Sequence, residues 1–100
     1  MTVYEHKSSL TTASGSVSSV TLNIPGGLLK YLLVRANTST TVFRTEIVDD
    51  NDITRLNYGF HTGEIMDNTV SLPVTSNIKV NITNVGPADD TFQLIIAVQE

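Results

Sequence analysis

The stretch that most limits what this chain can become is Leu28-Leu29-Lys30-Tyr31-Leu32-Leu33-Val34, its longest apolar run, broken by a single Lys. A polar break, Asn37-Thr38-Ser39-Thr40, separates it from a second β-rich run, Thr41 to Val48. The pair reads as a hairpin at the centre of a sheet. Successive side chains of a strand point to opposite faces. Leu28, Leu32, Val34 and Ala36 therefore share one face, and Leu29, Tyr31 and Leu33 share the other. A strand apolar on both faces is ordinarily covered on both. In a domain this small one cover is the core, and the other is expected to be a partner subunit.

One hundred residues make one domain with one core and no deep substrate cleft. Val, Ile and Thr total 33 against 4 Ala, and β-branched side chains suit a pleated surface better than a helix. No window carries an amphipathic helical period, so the chain is expected to be all-β. The net charge is −4, with the acids clustered and the six basic residues dispersed. That distribution lacks the footprint of a nucleic-acid binder. No run approaches membrane-spanning length. Met1 to Lys7 has no apolar h-region, so no signal peptide is expected there. Without cysteine there is neither a disulfide nor a thiolate metal site.

Along the chain, Thr2 to Leu10 reads as a first strand and Thr11 to Ser19 as a loop or mobile arm. Residues 1–19 are thus an N-terminal arm or edge strand, and residues 20–100 the sandwich domain. Val20, Leu22 and Ile24 alternate with polar residues until Pro25-Gly26-Gly27 turns the chain. After the central hairpin and an acidic turn come a short strand at Ile53–Asn57, an aromatic loop at Tyr58–Gly63 and an irregular Glu64–Asn68. An edge strand at Thr69–Pro73 follows, then alternating runs through Ile78-Val80-Ile82 and Phe92-Leu94-Ile96-Val98. The last strand also carries Ile95 and Ala97 on its outer face. About seven or eight short strands with frequent turn signals predict a single antiparallel β-sandwich or jelly roll, with a small barrel as the alternative. Val20, Leu22, Ile24, Leu32, Val34, Ile78, Val80, Ile82, Phe92, Leu94 and Ile96 are the expected core.

No nucleophile elbow, phosphate-binding loop, dinucleotide fingerprint or H-E-x-x-H motif occurs, so no catalytic residue is assigned and no enzyme is expected. His6 and His61 lie far apart in sequence, short of the three or four ligands a zinc site needs. Asp49-Asp50-Asn51-Asp52 offers hard oxygens that suit Ca²⁺, but without EF-hand spacing it reads as a solvated turn. No metal or cofactor is expected. Tyr58, Phe60 and His61 could stack on a sugar or anchor a protein partner, or could fold back as a lid on the sandwich end. In a hairpin turning at Thr38-Ser39, Arg35 would lie opposite Thr41–Val42, while Arg44 and Glu46 share a strand face as a local ion pair.

This small, Cys-free, Ser/Thr/Asn-rich sandwich resembles the accessory virion proteins of tailed phages, the decoration or cement proteins of capsids. The segment PGGLLKYLLVRANTSTTVFR, Pro25 to Arg44, carries the resemblance most strongly. The resemblance implies a virion-located structural protein that binds itself, as a trimer, and the major capsid protein or another virion protein. The alternative is a carbohydrate- or receptor-binding module using the Tyr58–Gly63 loop. Leu29, Tyr31 and Leu33 are the expected self-association surface. Val3, Tyr4 and Leu10 are expected to anchor an N-terminal arm to a particle, with Val3 to Lys7 able to add as a strand to a sheet edge. The other reading of that segment is an edge strand of its own domain.

Overall fold

In keeping with a chain so rich in β-branched residues, β-strand is the only regular secondary structure among the described residues. The computed structural model describes residues 3–23, 27–74 and 77–99. Its strands are β1 (Val3–Thr12), β2 (Val17–Leu22), β3 (Gly27–Ala36), β4 (Val42–Asp49), β5 (Thr54–Thr62), β6 (Glu64–Asp67), β7 (Leu72–Val74), β8 (Ile78–Asn84) and β9 (Asp90–Gln99). Two antiparallel sheets result. The first has the order β1-β9-β3-β6, with β7 also on β3; the second has the order β2-β8-β4-β5. β6 lies opposite Leu32 to Arg35 and β7 opposite Gly27 to Leu29, along one side of β3. Counted as one broken edge strand, they leave eight strands in the order 1-8-3-6 facing 2-7-4-5, which is a jelly roll.

The alternating runs place their apolar members between the sheets. Leu22, Leu32, Val34, Ile78, Val80, Ile82, Phe92, Leu94 and Ile96 are buried there, and Val20 packs half-buried against them. Ile24 lies outside the described residues, as do Pro25 and Gly26. Phe43 of β4 and Phe92 of β9 meet edge-to-face, with centroids 5.2 Å apart, and so tie one sheet to the other.

The central hairpin does not form. β3 belongs to the first sheet and β4 to the second, and residues 37–41 cross between them. Asn-Thr-Ser-Thr lacks the glycine that a tight hairpin turn favours. Instead the buried Asp90 carboxylate accepts hydrogen bonds from Thr38 N (3.1 Å) and Thr41 Oγ1 (2.7 Å), holding the crossing. Arg35 consequently sits beside Glu64 and Gln93 rather than opposite Thr41–Val42.

A bulge shifts the phase of β3. Leu29 opposes Val98 and Tyr31 opposes Ala97, so Lys30 is the extra residue. Leu29 is thereby turned into the core and fully buried. The expectation that it shares the outer face with Tyr31 and Leu33 is corrected accordingly.

The Tyr58–Gly63 loop and the irregular Glu64–Asn68 are also corrected. The first belongs to a nine-residue strand, β5, and most of the second is β6. Gly59, at φ 70°, absorbs an extra residue opposite β4 and keeps β5 continuous. Gly63, at φ 78°, makes the tight β5–β6 turn, where an added Cβ would lie 2.6 Å from the Ser39 carbonyl oxygen. Pro73 sits within β7 rather than stopping it, which an edge strand tolerates. Thr11 to Ser19 is not one loop: β1 runs to Thr12 and β2 starts at Val17.

Candidate functional site

Two sheet faces carry the side chains singled out above. On the outer face of the first sheet, cross-strand register sets Lys7, Ile95, Leu33 and Met66 in one row. The adjacent row holds Glu5, Ala97 and Tyr31. Tyr31, Leu33, Ile95 and Ala97 are half-buried by one another, and Met66 is 53% exposed. No described segment covers this apolar strip. Charged pairs border it: Arg35 Nη2 to Glu64 Oε1 at 2.8 Å, and Lys7 Nζ to Glu5 Oε1 at 3.4 Å. Tyr31 and Leu33 were legible from the sequence, and so were Ile95 and Ala97. Met66 was not, because it lies in a four-residue strand with no visible alternation.

The outer face of the second sheet is mostly polar. Ser19, Asn81, Glu46 and Asn57 form one row, and Thr83, Arg44 and Phe60 the next. Phe60 is 60% exposed, with the Arg44 guanidinium 5.7 Å from its ring centroid, a cation–π contact. Glu46 Oε1 lies 3.2 Å from Arg44 Nε but off the line of its N–H, so the contact is ionic. Arg44 and Glu46 thus share a face and pair, as expected of alternate residues on one strand.

The three β5 residues singled out do not act together. The Gly59 bulge sends Tyr58 and Phe60 to opposite faces. Tyr58 packs against the core and donates its hydroxyl to Asp67 Oδ2 at 3.0 Å, lacing the second sheet to β6 of the first. Burial, with the Asp67 carboxylate as a second cause, raises the Tyr58 phenol well above its ordinary range. Asp67 is held below the usual carboxylate range, chiefly by the Thr69 N–H. His61 Nε2 donates to the Tyr58 carbonyl at 2.6 Å within the strand.

Asp49–Asp52 forms a closed turn. Asp49 Oδ1 accepts from Asn51 N and Ile53 N, and Lys79 Nζ reaches Asp52 Oδ1 at 3.1 Å. Among the described residues no cluster of three or more His, Cys, Asp or Glu could hold a metal ion. His6 and His61 lie in different sheets.

β1 is an edge strand of its own sheet, paired with β9 from Val3–Gln99 to Thr12–Asp90. Val3 is 58% and Tyr4 47% exposed, whereas Leu10 packs against the core.

No family model matches the chain and no curated protein resembles it in sequence. Solved structures share its fold. One is PliG of Aeromonas hydrophila, a periplasmic lysozyme inhibitor of g-type lysozyme, at TM-score 0.61 and 10% identity over 95% of this chain and 86% of that one. Another is a chain from the structure of infectious bursal disease virus Gt strain, at TM-score 0.52 and 17% identity, over 98% of this chain but 32% of the viral one. At such identities the likeness is one of fold alone: a small β-sandwich module.

Proposed function

We propose that this chain is a non-enzymatic structural protein of a virus particle, and that it docks onto the particle through the outer face of its first sheet. The observation that carries this reading is the uncovered strip of Tyr31, Leu33, Ile95, Ala97 and Met66. Contiguous exposed apolar surface ordinarily marks an interface. The salt-bridged rim around it matches the polar border of protein interfaces. A jelly roll shared with a chain of a virus structure supports the setting. The partner is the major capsid protein or another virion protein.

The test is particle binding. Leu33→Asp and Ile95→Asp place a charge on the outer face and leave the core intact. Both variants are expected to fold and to lose co-sedimentation with purified particles, while the unmodified chain is found there by mass spectrometry at a fixed copy number. Binding that survives both substitutions would exclude this face.

A second reading has its own support in Phe60. An exposed aromatic ring beside Arg44, with Glu46, Asn57 and Asn81 in the next row of the same sheet face, is suited to a sugar ring, through stacking and planar hydrogen bonds. Glycan binding that disappears in Phe60→Ala but persists in Leu33→Asp would favour a carbohydrate- or receptor-binding module instead.

A further inference from the structure

The outward edge of β1 is open. Thr91, at the β9 position paired with Thr11, gives its carbonyl to Asn37 beyond the end of β3. Odd-numbered residues of β9 therefore hydrogen-bond toward β3 and even-numbered ones toward β1, since ladder bonds alternate along an antiparallel strand. By the register, Tyr4, His6, Ser8 and Leu10 bond to β9. Val3, Glu5, Lys7, Ser9 and Thr11 point their N–H and C=O groups away from the sheet. Ser18 Oγ donates to the Thr11 carbonyl at 3.3 Å, which closes that end of the edge from the β2 side. Among the described residues no strand pairs with the remainder, Val3 to Ser9.

A long bare edge invites another strand, and charges placed on edges ordinarily repel one. Here the charges have opposite signs and sit symmetrically about the middle of the open segment. Antiparallel pairing with an identical edge must match odd residues with odd. Three central registers satisfy this. Two of them set Glu5 against Glu5 or Lys7 against Lys7, which is destabilising. The third sets Glu5 against Lys7, Lys7 against Glu5 and Val3 against Ser9, and it uses the whole open segment.

We propose that the Val3–Ser9 edge of β1 pairs antiparallel with the same edge of a second copy, about a two-fold axis at His6. About eight ladder hydrogen bonds form, and the two first sheets become one continuous sheet in the order β6-β3-β9-β1-β1-β9-β3-β6. The Glu5–Lys7 pair, intrastrand in the single chain, is exchanged for two pairs between copies. The Ile95–Leu33–Met66 row, in line with Lys7, continues on the same face into the partner's Ala97–Tyr31 row, in line with the partner's Glu5. The inference does not rest on particle docking, and its two-fold symmetry departs from the trimer that the family resemblance implies.

Light scattering after size exclusion at low ionic strength should give the mass of two chains. Glu5→Lys alone or Lys7→Glu alone places like charges opposite each other at two positions and should weaken the dimer by about tenfold or more. An equimolar mixture of the two variants restores both opposite-charge pairs and should recover the dimer as a heterodimer. Because the chain has no cysteine, His6→Cys supplies a second reading. The central pair faces itself at about 4.5 Å between Cα atoms, within reach of a disulfide. Oxidation should give a covalent dimer for His6→Cys and not for Glu5→Cys. A monomer at high concentration, a mass of three chains, a dimer indifferent to both charge reversals, or no cross-link at position 6 would each overturn the proposal.

Discussion

Two buried polar side chains hold the loops at one end of the sandwich. Asn84, fully buried, donates to the Thr12 and Ala88 carbonyls at 3.0 and 2.9 Å and accepts from Gly86 N at 2.8 Å. It fixes the β8–β9 turn against the end of β1. Asp90 does the same for the β3–β4 crossing, and also accepts from Thr91 N at 2.8 Å. Burial alone would push the Asp90 carboxyl up. Its three hydrogen-bond donors, Thr41, Thr38 and Thr91, together outweigh burial and hold it below the usual carboxylate range. A carboxylate depressed in the folded state stabilises the fold above its unfolded pKa, and that contribution is lost as pH falls through the folded value. The melting temperature is therefore expected to hold from neutrality down to about pH 4, the unperturbed Asp value, and to fall below it. Asp90→Asn should melt lower at pH 7 and show a shallower acid limb than the parent. Thermal melts between pH 2 and 7 decide this. An unchanged acid limb in Asp90→Asn would remove Asp90 as its source.

Single elements show where sequence periodicity is enough and where it fails. β8 and β9 alternate without a break, and their inward sets, Ile78-Val80-Ile82 and Phe92-Leu94-Ile96-Val98, are readable directly. β3 is not, because one extra residue at Lys30 reverses the phase and a two-sided apolar run hides the reversal. Strict alternation assigns Leu29 to the outside, whereas the bulge puts it at 0% exposure. β5 misleads for the same reason: an aromatic stretch with two glycines looks like a loop, but Gly59 is a bulge inside a strand. The exposed strip is legible except for one residue. Tyr31, Leu33, Ile95 and Ala97 follow from alternation in long strands, while Met66 depends on a pairing with β3 that no local pattern reveals. The β3 bulge makes a paired prediction. Leu29→Ala should cost about 2–5 kcal/mol, the range for truncating a buried leucine. Leu33→Ala, two strand positions beyond the bulge on the half-exposed face, should cost about 1 kcal/mol or less. Urea denaturation of the two variants separates the phases. Equal losses would mean that β3 runs without the bulge.

At the scale of the molecule, the first and last strands are neighbours. Val3 opposes Gln99, and β1 lies along the whole of β9. Their pairing joins the two most distant parts of the described chain, so the first sheet closes only after a large loop has been ordered. Such non-local pairing makes folding slow, on the scale of milliseconds to seconds. The same adjacency allows the chain to be rewired. An Asn-Gly dipeptide joining Val98 to Tyr4, in place of Gln99 and Val3, would turn β9 and β1 into a local hairpin, since Tyr4 and Val98 form the hydrogen-bonded pair that a two-residue antiparallel turn closes. New ends can be opened between Asp50 and Asn51, both exposed, in the turn joining β4 to β5. Exposed turns of this kind tolerate permutation. Opening there separates Asp49 Oδ1 from Asn51 N and Ile53 N. The permuted chain is expected to keep the jelly roll, to melt cooperatively within a few degrees of the parent, and to refold faster. By contrast, a chain beginning at Ser16 leaves β9 as a bare edge and removes Leu10 and Thr12 from one side of the sandwich. That chain is expected to aggregate or to lose cooperative melting. Stopped-flow refolding and thermal melts of the two variants provide the check. Permuted ends that abolish folding, or a chain without β1 that melts like the parent, would contradict the observed closure of the sheet by its first and last strands.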